Sequence, residues 1–175
     1  MKKVVIAIVL SVVLAAGTAF ADHPGGWGVG VLGTFGWTHS DGGGVIGGGA
    51  ALSLKVPVLP IYWGVDLDFG DGYFGLGVTG DWYLIDANLI DTFFGWYFGV
   101  GLFGGVRIWD PGFGLNVGGR LPIGLSLQFP VSSLTLEFFL AVVPRLGLGM
   151  IFVNDHSNAD LYFRVGGEFG FRLWF

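Results

Sequence analysis

Between Ile61 and Leu84 the chain changes character at every residue, and that period admits few folds. Ile61, Trp63, Val65, Leu67 and Phe69 alternate with Tyr62, Gly64, Asp66, Asp68 and Gly70. Asp71-Gly72 follows, a strong signal for a tight hairpin turn. Beyond it Phe74, Leu76, Val78, Gly80, Trp82 and Leu84 alternate with Tyr73, Gly75, Gly77, Thr79, Asp81 and Tyr83. A period of two means a strand with two unlike faces. One face here is greasy, and the other is small, polar or charged.

The same period divides the chain into eight runs, at 26–37, 44–56, 61–70, 73–85, 92–107, 113–129, 134–152 and 160–175. THSDGG, PVLP, DG, the IDANLID region, WDPG, PVSS and VNDHSNAD connect them, rich in the Asp, Asn, Gly, Pro and Ser that turns use. Two residue sets outside the choice of register agree with it. Lys55, Arg107, Arg120, Arg145, Arg164 and Arg172 all take the polar parity, and so do Tyr62, Tyr73, Tyr83, Tyr97 and Tyr162. Of the Phe residues after position 21, only Phe93, Phe103 and Phe139 take it. A soluble lipocalin-like barrel, the structural alternative, would put the greasy side inside, but the greasy face cannot be the inside here, because the charges alternate with it.

Such a face needs an apolar solvent. The chain carries 34 Gly and is 17 % aromatic, yet after position 21 it has no uninterrupted apolar stretch long enough for a membrane helix. A closed barrel is the other structure that satisfies every backbone group in lipid. Eight strands also enclose a space that side chains can fill, and the inward glycines Gly28, Gly30, Gly47, Gly49, Gly75, Gly77, Gly99 and Gly101 leave room for larger neighbours. Outward aromatics form two girdles, as bilayer interfaces select. Trp27, Trp63, Trp82, Phe94, Trp96, Phe129 and Phe175 lie near the termini; Phe35, Trp37, Phe69, Phe74, Phe113, Phe152 and Phe163 lie near the other rim.

The N-terminus reads as an export signal. Lys2 and Lys3 precede the apolar run Val4 to Ala16, and Ala19-Phe20-Ala21 has the small-x-small cleavage pattern. Residues 1–21 are therefore expected to be removed, leaving one domain at 22–175. The expected fold is all-β, an eight-stranded antiparallel up-and-down transmembrane β-barrel with short loops. An even strand number puts both termini on one side, the periplasm. Pro122 and Pro144 fall mid-strand, where each removes a ladder hydrogen bond. A bulge there would shift the local parity of Glu137 and Arg145.

The closing FGFRLWF, with Phe169, Phe171, Leu173 and Phe175 at alternate positions, resembles the terminus of small outer-membrane β-barrels. The segments RLPIGLS and LTLEFFLAVVP are similar to stretches in many bacterial barrels. The class resembled is that of the OmpA transmembrane domain, OmpX and OmpW. The resemblance implies a monomer in the bacterial outer membrane, in contact with its lipids. It also implies periplasmic chaperones and the barrel-assembly machinery as partners, the latter reading Phe169, Phe171, Leu173 and Phe175 as an assembly signal. The predicted outer loops are much shorter than the adhesive loops of OmpX-like proteins, so loop-borne adhesion does not carry over.

Inside, Lys55, Arg107, Arg120, Arg145, Arg164 and Arg172 face Asp66, Asp68, Asp81, Glu137 and Glu168, with Asp160 at the rim. Buried charges cost several kcal/mol each unless paired, so the first expectation is a salt-bridged, tyrosine-capped filling without catalysis. A narrow channel for small solutes is the alternative. The last two long runs pair either with residue numbers summing to about 309, setting Arg172 opposite Glu137, or to about 313, setting Glu168 opposite Arg145.

Outside, Asp22, Asp41, Asp71, Asp86, Asp91, Asp110, Asp155 and Asp160 read as end and turn residues. The absence of an outward basic patch excludes nucleic-acid binding, and the absence of cysteine excludes thiol and Cys-metal chemistry. No cofactor and no metal site are expected. The third alternative is lipid modification of the kind done by small barrels with outer His and Ser residues. His39-Ser40-Asp41 and Asp155-His156-Ser157 are its candidates, since nucleophilic catalysis needs a hydroxyl within reach of an oriented His.

Overall fold

The computed structural model describes residues 23–40, 43–70, 72–154 and 156–175. Residues 1–21, Asp22, Asp41, Asp71 and Asp155, to which the sequence assigned signal or turn roles, lie outside the described residues. The chain forms β1 (Gly28–Ser40), β2 (Gly43–Lys55), β3 (Tyr62–Gly70), β4 (Tyr73–Ile90), β5 (Phe94–Trp109), β6 (Gly112–Arg120), β7 (Ile123–Val131), β8 (Leu134–Val153) and β9 (His156–Trp174). Every pairing is antiparallel, and most join sequence neighbours; the exceptions are β1 with β9, β5 with β7 and β6 with β8. β6 and β7 are halves of one stave, for each lies between β5 and β8. The result is a closed ring of eight staves, with no free edge to invite pairing with another chain.

The ring is inclined. Stepping across ladder partners from Gly28 visits Lys55, Tyr62, Asp81, Gly101, Arg120, Arg145, Arg164 and finally Thr38, back on β1. The walk returns ten residues along β1, from 28 to 38, and a stagger of that size in eight strands means a tilt of about 40°. Partners share a face, so the same walk explains why so many charges point into the lumen together. The outward set, including Leu52, Val65, Leu76, Leu102, Leu140 and Leu148, is exposed.

Three sequence expectations are corrected. First, all of IDANLID except its last residue, Asp91, is strand rather than connection: β4 runs on to Ile90 through irregularities at Tyr83/Ile85 and Asn88/Ile90. Each inserts a residue and reverses the parity beyond it, and the first turns Asp86 inward to become buried. Second, the expected outer loops at 38–40 and 156–160 are also strand, in β1 and β9. Third, Phe93 turns outward, its ring packed edge-on against lipid-side Phe129 at 5.0 Å.

Pro122 breaks the sixth stave but does not shift it. Arg120, Pro122 and Gly124 are all buried at inward positions. Main-chain bonds bridge the gap: Gly99 N–H donates to the Pro122 carbonyl (2.8 Å) and Leu121 N–H to the Pro144 carbonyl (3.0 Å). Pro144 itself stays in β8, opposite Val165. Glu137 and Arg145 thus keep their inward parity.

The turns use residues that tolerate left-handed backbone: Gly72 (φ 74°), Asp91 (43°), Ser132 (56°) and Asn154 (51°). At the seam between β1 and β9, rings cover glycines reciprocally. A Cβ at Gly33 would meet the Phe169 ring at 2.7 Å, and the Phe35 ring lies over Gly167 in the same manner. The strip beyond the ladder is closed by Trp27 and Phe175, each N–H donating to the other's carbonyl at 2.8 and 2.9 Å.

Candidate functional site: the charged lumen

The lumen is built in three layers, each with two cations and two carboxylates. The layer nearest the termini centres on Glu137, which is 0 % exposed. It lies opposite Arg172 in the ladder, so the register sum is 309. Arg172 Nη1 donates to both Glu137 oxygens at 3.2 Å, and Trp174 Nε1 donates to Oε2 at 2.8 Å. Arg172 also donates from Nε to Ser53 Oγ (2.7 Å) and stands 4.1 Å from the Phe139 ring. The glycine opposite Trp174 explains how so large a ring fits: a Cβ at Gly28 would come within 3.1 Å of it.

The remaining cation of this layer comes from outside the spanning strands. His23 enters the mouth of the barrel ahead of β1, with Nδ1 2.5 Å from Asp86 Oδ1 and Nε2 2.8 Å from Glu137 Oε1. Its ring is edge-on to Tyr62, Tyr83 and Tyr97, at 5.7 to 5.8 Å. Those three tyrosines stack on one another at 3.9 and 4.4 Å. Burial opposes charge on His23, but Glu137 and the hydrogen-bonded Asp86 outweigh it and push its pKa up to about 9. It is therefore an imidazolium at neutral pH, donating from both nitrogens.

The middle layer contains Arg120, Arg145, Asp81 and Glu168. Arg120, Arg145 and Arg164 are direct neighbours across β6, β8 and β9, a row of like charges that is unfavourable on its own. Glu168 splits the row. Arg120 Nη2 donates to its two oxygens at 2.9 and 2.8 Å, and Arg145 Nη2 donates to Oε1 at 2.7 Å. Arg145 reaches it diagonally, although the ladder partner of Arg145 is Arg164 rather than Glu168. Arg120 Nε stands 3.0 Å from Asp81 Oδ1, close enough for an ion pair but misaligned for a hydrogen bond.

In the outward layer Arg107 Nη2 meets Asp68 Oδ2 at 3.0 Å, and the Arg107 guanidinium lies 5.5 Å from the Tyr73 ring. Arg164 and Asp66 belong to the same layer but make no hydrogen bond or ion pair among the described residues. Tyr162 packs 6.2 Å from Phe103. Lys55, expected in the charge network, is instead at the end of β2. Its Nζ donates to the carbonyls of Val56 (2.9 Å) and Leu59 (2.7 Å), because its position next to the turn offers those acceptors first.

Sequence reasoning missed His23, Asp86 and Trp174. Trp174 had the inward parity of Arg172 and could have been found from it. Phe169, Phe171, Leu173 and Phe175 all lie outward and exposed. His39 and His156 are not brought together. His39 pairs with Phe163, seven residues from His156, which is roughly 23 Å along β9. His39 lies flat against outward Trp37 at 5.4 Å, and neither His makes a side-chain hydrogen bond among the described residues.

The chain has the fold of the small eight-stranded outer-membrane β-barrels. Among solved structures it is similar to Neisserial surface protein A, with a TM-score of 0.57 and 14 % sequence identity. That likeness covers 87 % of this chain and 98 % of the other. No protein-family model matches the chain, and no curated protein is similar to it in sequence.

Proposed function

We propose that the protein is an integral outer-membrane barrel, exported by the signal at 1–21, with its termini in the periplasm and a structural or surface role that involves no catalysis. The observation that carries this reading is the blocked end of the lumen, where His23 sits among Tyr62, Tyr83, Tyr97 and Trp174 on Glu137. A pore cannot conduct past a fully buried hydrogen-bonded carboxylate and a ring stack. The exposed apolar exterior supports membrane insertion, and the separation of His39 from His156 argues against lipid modification through them. The proposed partners are the lipids around it, with chaperones and the assembly machinery acting before insertion.

Planar-bilayer recording on refolded protein tests the reading. The expected result is no unitary current; steady single-channel steps would replace the filled lumen with the narrow-channel alternative. Removing Phe175 is expected to impair insertion more than the stability of barrel refolded in detergent. The residue is 61 % exposed and, among the described residues, hydrogen-bonds through its main chain alone. Equal losses in both would reduce it to packing.

A further inference from the structure

Beyond the middle layer the lumen opens into a cavity of about 60 Å³, lined by Asp66, Asp68, Arg107, Arg145, Tyr162 and Arg164 among others. It runs on into a second space of about 170 Å³ that shares Arg107, Asn116 and Tyr162 and reaches the rim away from the termini. Arg164 lines the inner cavity at only 8 % exposure, yet its guanidinium has no hydrogen-bond or ion-pair partner among the described residues. Its side chain lies over Gly36, where a Cβ would come within 2.8 Å of Nε, so the backbone has made room for it there.

A buried, unbonded guanidinium normally costs several kcal/mol. Arg145, its direct cross-strand partner, adds a like charge at the same level, and the carboxylate beside Arg145 is already shared with Arg120. On the acidic side, among the described residues, Asp66 makes no hydrogen bond or ion pair, and Asp68 Oδ1 is buried without a partner while Oδ2 holds Arg107. Arg107 on β5 is paired with Asp68, but the other charges around the cavity are held apart: Arg145 and Arg164 on β8 and β9, Asp66 on β3.

We propose that this cavity binds a small zwitterion of the α-amino-acid type, its carboxylate on Arg145 and Arg164 and its ammonium on Asp66, in the field of neighbouring Asp68. A plain oxyanion would face the two aspartates, and a plain amine the arginines, so each lone charge meets a repulsive wall. Only a ligand carrying both signs satisfies the two walls together. The cavity is large enough for several waters or one molecule of glycine size, and the wider outer space leaves room for a side chain.

The test is titration of refolded full chain in detergent, followed by the arginine Nε–H resonances. Glycine is the probe, with glycolate and ethylamine as single-charge controls. The expected result is saturable movement of the Arg164 and Arg145 signals with glycine, and at least roughly tenfold weaker binding of either control. Arg164→Gln and Asp66→Asn, on opposite walls, are each expected to abolish the glycine response while the barrel keeps its heat-modifiable mobility. Glycolate matching glycine would make the site a simple anion site and overturn the proposal. So would tighter binding of phosphoethanolamine than of glycine, which would point to a lipid headgroup. No response to any probe would leave only water in the cavity and overturn it equally. Conductance plays no part in this readout, so its failure and that of the filled-lumen reading are separable.

Discussion

The two ends of the lumen contain the same charges and use them differently. Near the termini, Arg172, His23, Glu137 and Asp86 are joined by direct bonds of 2.5 to 3.2 Å and sealed by stacked rings. At the opposite end Arg107 and Asp68 pair, but Arg164 and Asp66 face a cavity unbonded. Electroneutrality and hydrogen-bond satisfaction are thus separate properties. Each layer balances its charge, but among the described residues only the aromatic-packed end joins all four of its charged groups by hydrogen bonds.

The comparison predicts a gradient of mutational cost along the barrel axis. The largest loss belongs to Glu137→Ala, which strands Arg172 and His23 in a sealed interior. About 3–5 kcal/mol is expected, read as the shift in urea unfolding of the barrel in lipid vesicles. A change below 1 kcal/mol would mean that the sealed end relaxes as easily as the open one.

Next comes His23, through pH. Its folded pKa of about 9 exceeds the ordinary 6.5, so its contribution is complete below pH 6.5 and is lost as pH rises through about 9. At 1.36 kcal/mol per unit, the slope should total about 3 kcal/mol across that window. His23→Asn should flatten it; an unchanged slope would assign the pH dependence elsewhere.

Gly124→Ala is third. A Cβ there would overlap the Tyr97 ring, already 1 % exposed, and overpacking of this kind costs about 1–3 kcal/mol. The same substitution at Gly104, where the nearest atom is the Asn116 carbonyl oxygen at 3.9 Å, should be nearly silent. Smallest is Asp68→Asn. Arg107 is 39 % exposed at its side chain, and pairs open to solvent are worth about 1 kcal/mol or less. A loss as large as that of Glu137→Ala would erase the distinction between the ends.

How much of this was legible in the sequence divides along the same axis. The alternation from Ile61 to Leu84 made the barrel and its inward set readable, since a period of two has one structural meaning. The pairing of Glu137 with Arg172 needed only a register, and one of the two candidate sums supplied it. The sealed end was not readable, for physical reasons. The irregularity at Tyr83/Ile85 adds one residue without any Gly or Pro to mark it, so Asp86 looked like a turn aspartate. His23 lies before the first alternating residue, where periodicity has nothing to say. The break at Leu121-Pro122 was visible as a proline, but its harmlessness depended on one N–H, from Gly99, and one carbonyl, from Pro144, contributed by the neighbouring strands.

The meeting of His23, Asp86, Glu137 and Trp174 has a kinetic consequence. Residues 63 and 114 positions from His23 bond to it directly, and Glu137 takes a further bond from 37 positions downstream. Loop-closure entropy must be met in full before any of these bonds forms, and contacts so distant in sequence make folding slow. The junction therefore works as a checkpoint. A chain that has not brought its beginning, middle and end together holds a bare carboxylate in a half-built barrel, and it gains the stability of that layer only when the last strand meets the first.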